Sequence, residues 1–204
     1  WDRVPALMVR FESGVLSSSA AAAVLAGANL AAIGDGSAAN WEVFQFTDAT
    51  LVAPNLWALG GRLRGQAGSD GVMPAVWPAG SYVVLLDAGV AQIDLPEAAR
   101  GLLRHFRIGP ASRGYDNPAA VARAEAFDGI GLRPYRPVHL RARAVAGDTQ
   151  FGWIRRSRID GDSWQSLEVP LGEETEAYLL RLSQGGNLDR KSTHLNSSHA
   201  NISY

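Results

Sequence analysis

Residues 41–70 read WEVFQFTDATLVAPNLWALGGRLRGQAGSD, and this stretch decides the fold. Trp41, Val43, Phe44 and Phe46 place large apolar groups at both parities of a strand. A strand patterned in this way is either buried on two sides or carries a bulge. Pro54-Asn55 predicts a tight turn, because proline presets φ at the first central position and asparagine tolerates the second. Leu56, Trp57 and Leu59 form the returning strand, and Gly60-Gly61 and Gly65 punctuate its far end. The reading is a β-hairpin followed by an arginine-bearing glycine loop.

Around this hairpin the chain breaks into short apolar runs separated by turn residues. Ala6–Phe11 and Ala28–Ile33 fit strands. Between them, Ser19 can N-cap a helix of one to two turns over Ala20–Ala26, ended by Gly27. Tyr82–Leu86 is a β-branched strand, turned at Asp87-Ala88-Gly89 and returned by Val90–Ile93 as a second hairpin. Asp94 and Glu97 around Pro96 suggest a capping box for another short helix. His105–Ile108 fits a strand, and residues 118–126 suit a helix by alanine content or an extended segment.

The proline-bracketed run Arg133-Pro134-Tyr135-Arg136-Pro137 is a stiff connector and the best domain boundary. Beyond it, Val138, Leu140, Ala142 and Ala144 alternate with His139, Arg141 and Arg143, the period of a strand with one buried face. Phe151–Ile154 and Tyr178–Leu182 supply two more strands.

Composition sets outer limits. The chain has 204 residues, enough for one large domain or two small ones. Charged residues are 19% and the net charge is −1, so no nucleic-acid footprint is present. It has no cysteine, which excludes disulfides and thiolate metal sites. No apolar run reaches the roughly 20 residues of a helical membrane span. The first residue is Trp1 and no leader pattern follows it, which suggests a piece of a longer protein.

The last residues have another texture. The chain holds 18 Arg and a single Lys, Lys191, and two of its four His (His194 and His199) fall in the same final run. The string DRKSTHLNSSHANISY resembles translated sequencing-adaptor read-through, the alternative being a natural polar tail. On this reading Asp189–Tyr204 stands outside the fold and stays mobile or extended, because it holds only Leu195, Ile202 and Tyr204 as sizeable apolar groups.

The string WEVFQF…LVAPNLWALGGRLRGQAG also resembles the C-terminal part of the large baseplate hub (megatron) proteins of gene transfer agents. Similar regions occur in tailed-phage tail-tip proteins of the host-specificity type. The resemblance runs from about Phe11 to Leu182. It departs at Gly60-Gly61-Arg62, where the family carries a serine and apolar residues. It implies a non-catalytic virion or particle tail component, made in the bacterial cytoplasm. The implied partners are other tail or baseplate proteins, further copies of itself, and a host cell-surface glycan.

The order of proline, alternating strand, Trp strand and Tyr strand further resembles the first half of a fibronectin type III sandwich. By that resemblance Trp153 and Tyr178 are its core aromatics. Such a sandwich needs about seven strands, so this one is truncated. The expected fold class is therefore mainly β: a small hairpin-rich domain over 1–133, a partial fibronectin type III-like domain over 134–188, and one or two short helices.

Candidate chemistry is sparse. Asp160, Asp162, Glu168, Glu173 and Glu174 lack the order of a calcium loop and suit a solvated acidic loop. Gly34-Asp35-Gly36 and Gly65–Gly68 lack a phosphate-binding fingerprint and suit turns. His105 and His139 have no triad partner in the pattern. The readings that remain are contacts. Arg155, Arg156 and Arg158 with Trp164 could meet a partner or a glycan, against the plainer reading of a loop balanced by nearby acids. Arg62 and Arg64 could meet a neighbouring subunit or clamp backbone carbonyls. No metal or organic cofactor is expected, and no enzyme; the alternative class is a glycan-binding module of a bacterial surface or secreted protein.

Overall fold

The computed structural model describes residues 1–157, 170–184, 187–195 and 199–202. The fold is mainly β, built from antiparallel sheets with very little helix. It divides into two compact units, Trp1–Arg133 and Pro134–Tyr204.

The first unit is organised on β3 (Trp41–Ala53) and β4 (Leu56–Gln66), a long hairpin closed at Pro54-Asn55 with Asn55 at φ 59°. β1 (Leu7–Arg10), β2 (Leu30–Gly34) and β5 (Tyr82–Leu85) complete a five-stranded sheet in the order β1-β4-β3-β2-β5. Both features that the doubled apolar pattern allowed are present. Glu42, Phe44 and Phe46 are buried at alternate positions while Gln45, between them, is buried as well. The Gln45 amide donates to Val24 O and to Ala28 O, so α1 (Ala21–Leu25) lies over that side of the strand. One bulge sits on β4, where Val43 pairs with Gln66 but Gln45 with Leu63, leaving an extra residue that Gly65 accommodates at φ 65°; a second shift lies on β3 near the tip, between Leu51 and Ala53.

The core gathers Val9, Leu16, Ala31, Ile33, Phe44, Phe46, Trp57 and Leu59, with Val83 and Leu85 packed against it. Trp41 does not join them: its indole N–H donates to Ser37 O and its ring lies against Gly34. The glycines after Leu59 form no loop, because β4 runs through them to Gln66. Val90–Ile93 forms no strand. β5 instead pairs with β2, aligning Val83 with Ile33 and Leu85 with Ala31 over the core, whereas Val90 and Ile93 are exposed. Ser19 does not cap α1. The cap residue is Ala20, without a side-chain hydrogen bond, and Ser19 N donates to Thr47 O. Glu97–Ala99 is a single 3-10 turn, likewise without a side-chain cap. β6 (Arg104–Ile108) and β7 (Val121–Glu125) pair as a separate ribbon, which resolves residues 118–126 in favour of the extended segment.

In the second unit β8 (Val138–Val145) and β9 (Asp148–Ile154) form a hairpin through Ala146 and Gly147, at φ 50° and 94°. Two successive positive φ angles suit the right-handed strand twist, as in type I′ turns. β10 (Tyr178–Gln184) pairs with β11 (Asn187–Leu195), and β12 (His199–Ile202) pairs with β9, giving the order β12-β9-β8. Phe151 and Trp153 are buried, with Tyr178 and Leu180 packed against them. The expectation that the run from Asp189 stays outside the fold is corrected by β11 and β12. Edge chemistry gives the reason: without them β9 and β10 would each present unpaired backbone N–H and C=O groups, and pairing with these asks nothing apolar of the added strand.

Candidate functional site

Polar side chains of β3 and β4 in the first unit come together both in the interior and at the surface. Glu42 is only 1% exposed, a costly position for a carboxylate unless it is paired and hydrogen-bonded. It accepts four hydrogen bonds: Arg64 Nε at 2.9 Å, Arg64 Nη2 at 2.7 Å, Trp77 Nε1 at 2.6 Å and Gly65 N at 3.2 Å. The β4 bulge is what turns Gly65 N and the Arg64 fork toward one carboxylate on β3. Arg64 also donates to Pro74 O at 2.8 Å and Ala75 O at 3.1 Å. Its pKa is raised, mainly by the Glu42 hydrogen bonds, against the opposing effect of burial. Beside it, Arg62 donates to Asp2 Oδ2 at 2.8 Å and Pro5 O at 3.2 Å. The two arginines proposed for a subunit contact thus make these bonds inside their own unit, and several go to backbone carbonyls. Through these bonds Glu42 clasps β4 and the Trp77 segment against β3.

At the surface lies an open groove of about 480 Å³, lined by Trp1, Arg3, Leu25, Thr47, Asp48 and Gly61 among others. Trp1 is 48% exposed. The Thr47 hydroxyl donates to Asp48 Oδ2 at 2.7 Å. Gly61 (φ 54°) leaves room there, because a Cβ would run into the Thr47 hydroxyl. Sequence reasoning singled out none of these as site residues. They come from the N-terminal segment, α1, β3 and β4, and share no spacing; only the sheet register unites them.

In the second unit, Arg155 Nη1 stands 3.5 Å from Glu176 Oε2, and Glu176 Oε1 accepts the Tyr178 hydroxyl at 2.6 Å. Burial first, then the hydrogen bond to Glu176 and its charge, push the Tyr178 phenol up to about 12. Trp153 meets Tyr178 edge to face at 5.0 Å, and its buried indole N–H completes no well-aligned hydrogen bond among the described residues. Arg156 donates to Arg136 O at 2.9 Å and lies 4.9 Å over the Tyr135 ring. Arg158 and Trp164, and with them Asp160, Asp162 and Glu168, lie outside the described residues. His105 and His139 are exposed. Among the described residues no cluster of three or more His, Cys, Asp or Glu could hold a metal ion, and no helix is long and apolar enough to cross a membrane.

The fold and these sites define an antiparallel β protein in which the Glu42–Arg64 pair serves as an internal clasp. A family model described as Rcc01698-like, C-terminal, matches residues 1–84, which hold β1 to β4 and most of β5. No curated protein matches the chain.

Proposed function

We propose that the chain is a non-catalytic structural piece of a phage-like tail tip or gene transfer agent baseplate hub, serving assembly and host-surface engagement. The observation that carries this reading is the 41–68 string, whose resemblance to baseplate hub proteins coincides with the β3–β4 hairpin at the centre of the first unit. A clasped, twice-covered strand suits a part that bears load, and Glu42, the buried carboxylate, is occupied by structural bonds. The second unit supports a fibronectin type III-like beginning through Trp153 on β9 and Tyr178 on β10. The alternative, a glycan-holding module of a bacterial surface or secreted protein, draws on the exposed Trp1 of the open groove.

Antibodies against residues 1–133, applied to particles released by cells that carry the gene, test the assignment. Gold label at the distal end of tails is the expected result. Label on the cell envelope with bare particles would overturn it in favour of the surface module.

A further inference from the structure

We propose that Ala91–Leu95 of one copy of the chain adds as a third strand to the β6–β7 ribbon of a second copy. Each half of this contact is incomplete where it stands. The ribbon is a two-stranded sheet, so one edge of β6 pairs with nothing among the described residues. A lone two-stranded ribbon is marginal in water, and three or more strands with an apolar face are needed for independent stability. Ala91–Leu95 is the converse, a strand pattern without a sheet. Its backbone N–H groups donate to no carbonyl among the described residues. Ile93 is 58% exposed, and Pro96, which cannot donate to a ladder, closes the run.

The two patterns match residue by residue. Ala91, Ile93 and Leu95 alternate with Gln92 and Asp94, and on β6 Phe106 and Ile108 alternate with His105 and Arg107. Strand side chains have a period of two, so one register brings apolar to apolar and polar to polar. The antiparallel register that sets Asp94 opposite Arg107 also sets Leu95, partly buried in its own chain, beside Phe106, and Ile93 beside the exposed Ile108. Neither Asp94 nor Arg107 enters an ion pair among the described residues; Arg107 lies 5.1 Å over the Tyr115 ring. β6 carries no acidic residue while β7 ends in Glu125, so the acidic strand belongs on the β6 edge.

A second copy is the occupant because the complement of the edge lies in the chain's own sequence. Within one copy the 3-10 turn at Glu97–Ala99, with Ala99 buried, and the Gly101 N–H bond to Phe127 O hold the connection between the two, and both remain exposed. Two β6 edges would meet with like charges, so the contact joins the segment of one copy to the edge of another.

The contact deepens the assembly part of the proposed function and rests on that reading for its setting alone. Its failure would leave the tail-tip placement standing, and label on the cell envelope would leave the contact standing. The experiment follows the mass of the full chain by sedimentation equilibrium from about 20 μM to about 1 mM, the range in which a small, transient contact shows. A mean mass that rises with concentration is expected, together with growing amide protection at Ile93 and Asp94 by hydrogen exchange. Asp94→Arg and Arg107→Asp should each weaken the association about tenfold or more, because like charges then face each other across the strands. An equal mixture of the two variants should restore it, since each then offers what the other lacks, and this recovery also shows that both variants are folded. A chain that stays monomeric to about 1 mM would overturn the proposal. So would association indifferent to both changes, a mixture that fails to recover it, or protection at Ile93 that is present in the monomer. A monomeric chain whose Arg107 edge binds poly-glutamate would replace the second copy by a foreign acidic partner and overturn it equally.

Discussion

A carboxylate that is 1% exposed is stable only as long as its cation stays in place, so Glu42 and Arg64 stand or fall as a pair. Glu42→Gln keeps the shape but removes the charge and turns an amide N–H₂ toward the Arg64 and Trp77 donors. We expect it to cost the first unit about 3 kcal/mol in urea unfolding, the low end for breaking a buried pair, because Arg64 keeps some solvent contact. The double change Glu42→Leu with Arg64→Met should cost less than the single one, since neither charge is then left alone. A loss below about 0.5 kcal/mol for Glu42→Gln would mean that the carboxylate is not buried as described. Tyr178 gives a second test at this scale. Its folded pKa, about 12, is raised, so the fold favours the neutral phenol. The stabilisation is complete below the ordinary tyrosine value near 10 and is lost as pH climbs through the folded value. Ultraviolet titration should show a late ionisation that Tyr178→Phe removes. A titration whose alkaline end is unchanged in Tyr178→Phe would exclude the Glu176 contact.

At the scale of elements, the β3–β4 hairpin carries the fold, and truncating its core side chains should be costly. Phe46 is 1% exposed, and Phe46→Ala should cost about 3–5 kcal/mol by chemical denaturation. Leu51, 56% exposed near the hairpin tip, should tolerate Leu51→Ser within about 0.5 kcal/mol. Equal losses at the two positions would place the tip, too, inside a core. Much of this hairpin was legible: both strands, the Pro54-Asn55 turn and burial on two sides came from apolar parity and turn chemistry. The elements that misled were those where local pattern met a stronger tertiary partner. Val90–Ile93 is apolar enough for a strand, yet β2 offered β5 a register that buries Val83 and Leu85. Ser19 had the chemistry of a cap, but its backbone was taken by Thr47 O. Trp41 looked like core and instead closes over Gly34. The groove was invisible for a different reason: Trp1, Arg3 and Asp48 acquire a common surface only once the sheet register is fixed. The Glu42 clasp was half visible, in an arginine suspected of holding carbonyls, but its acidic partner lies 22 residues away on the neighbouring strand.

At the scale of the whole molecule, the second unit raises the sharpest question, because its sheets are completed by residues whose composition promised nothing. β11 and β12 pair with β10 and β9 over Asn187–Leu195 and His199–Ile202. The run is polar in sequence, so it brings little apolar area to the fold. Ordering it costs roughly 1–2 kcal/mol per residue in backbone entropy. Against that cost stand ladder hydrogen bonds, each worth about 1 kcal/mol net, and the covering of two edges that otherwise invite other chains. The balance is close, so a strand of this kind should be held but weakly, opening far more often than the hairpin of the first unit. Amide hydrogen exchange reads this directly. Protection is expected across Asn187–Leu195, in step with Tyr178–Gln184 and below that of Phe44–Phe46. Removing residues 187–204 should bare the edges of β9 and β10 and drive self-association, visible as a rise in mass by light scattering. Exchange at the unprotected rate over Asn187–Leu195, with a truncated chain that stays monomeric, would return that run to the polar tail its composition describes and leave the Trp153–Tyr178 contact to hold β9 and β10 together.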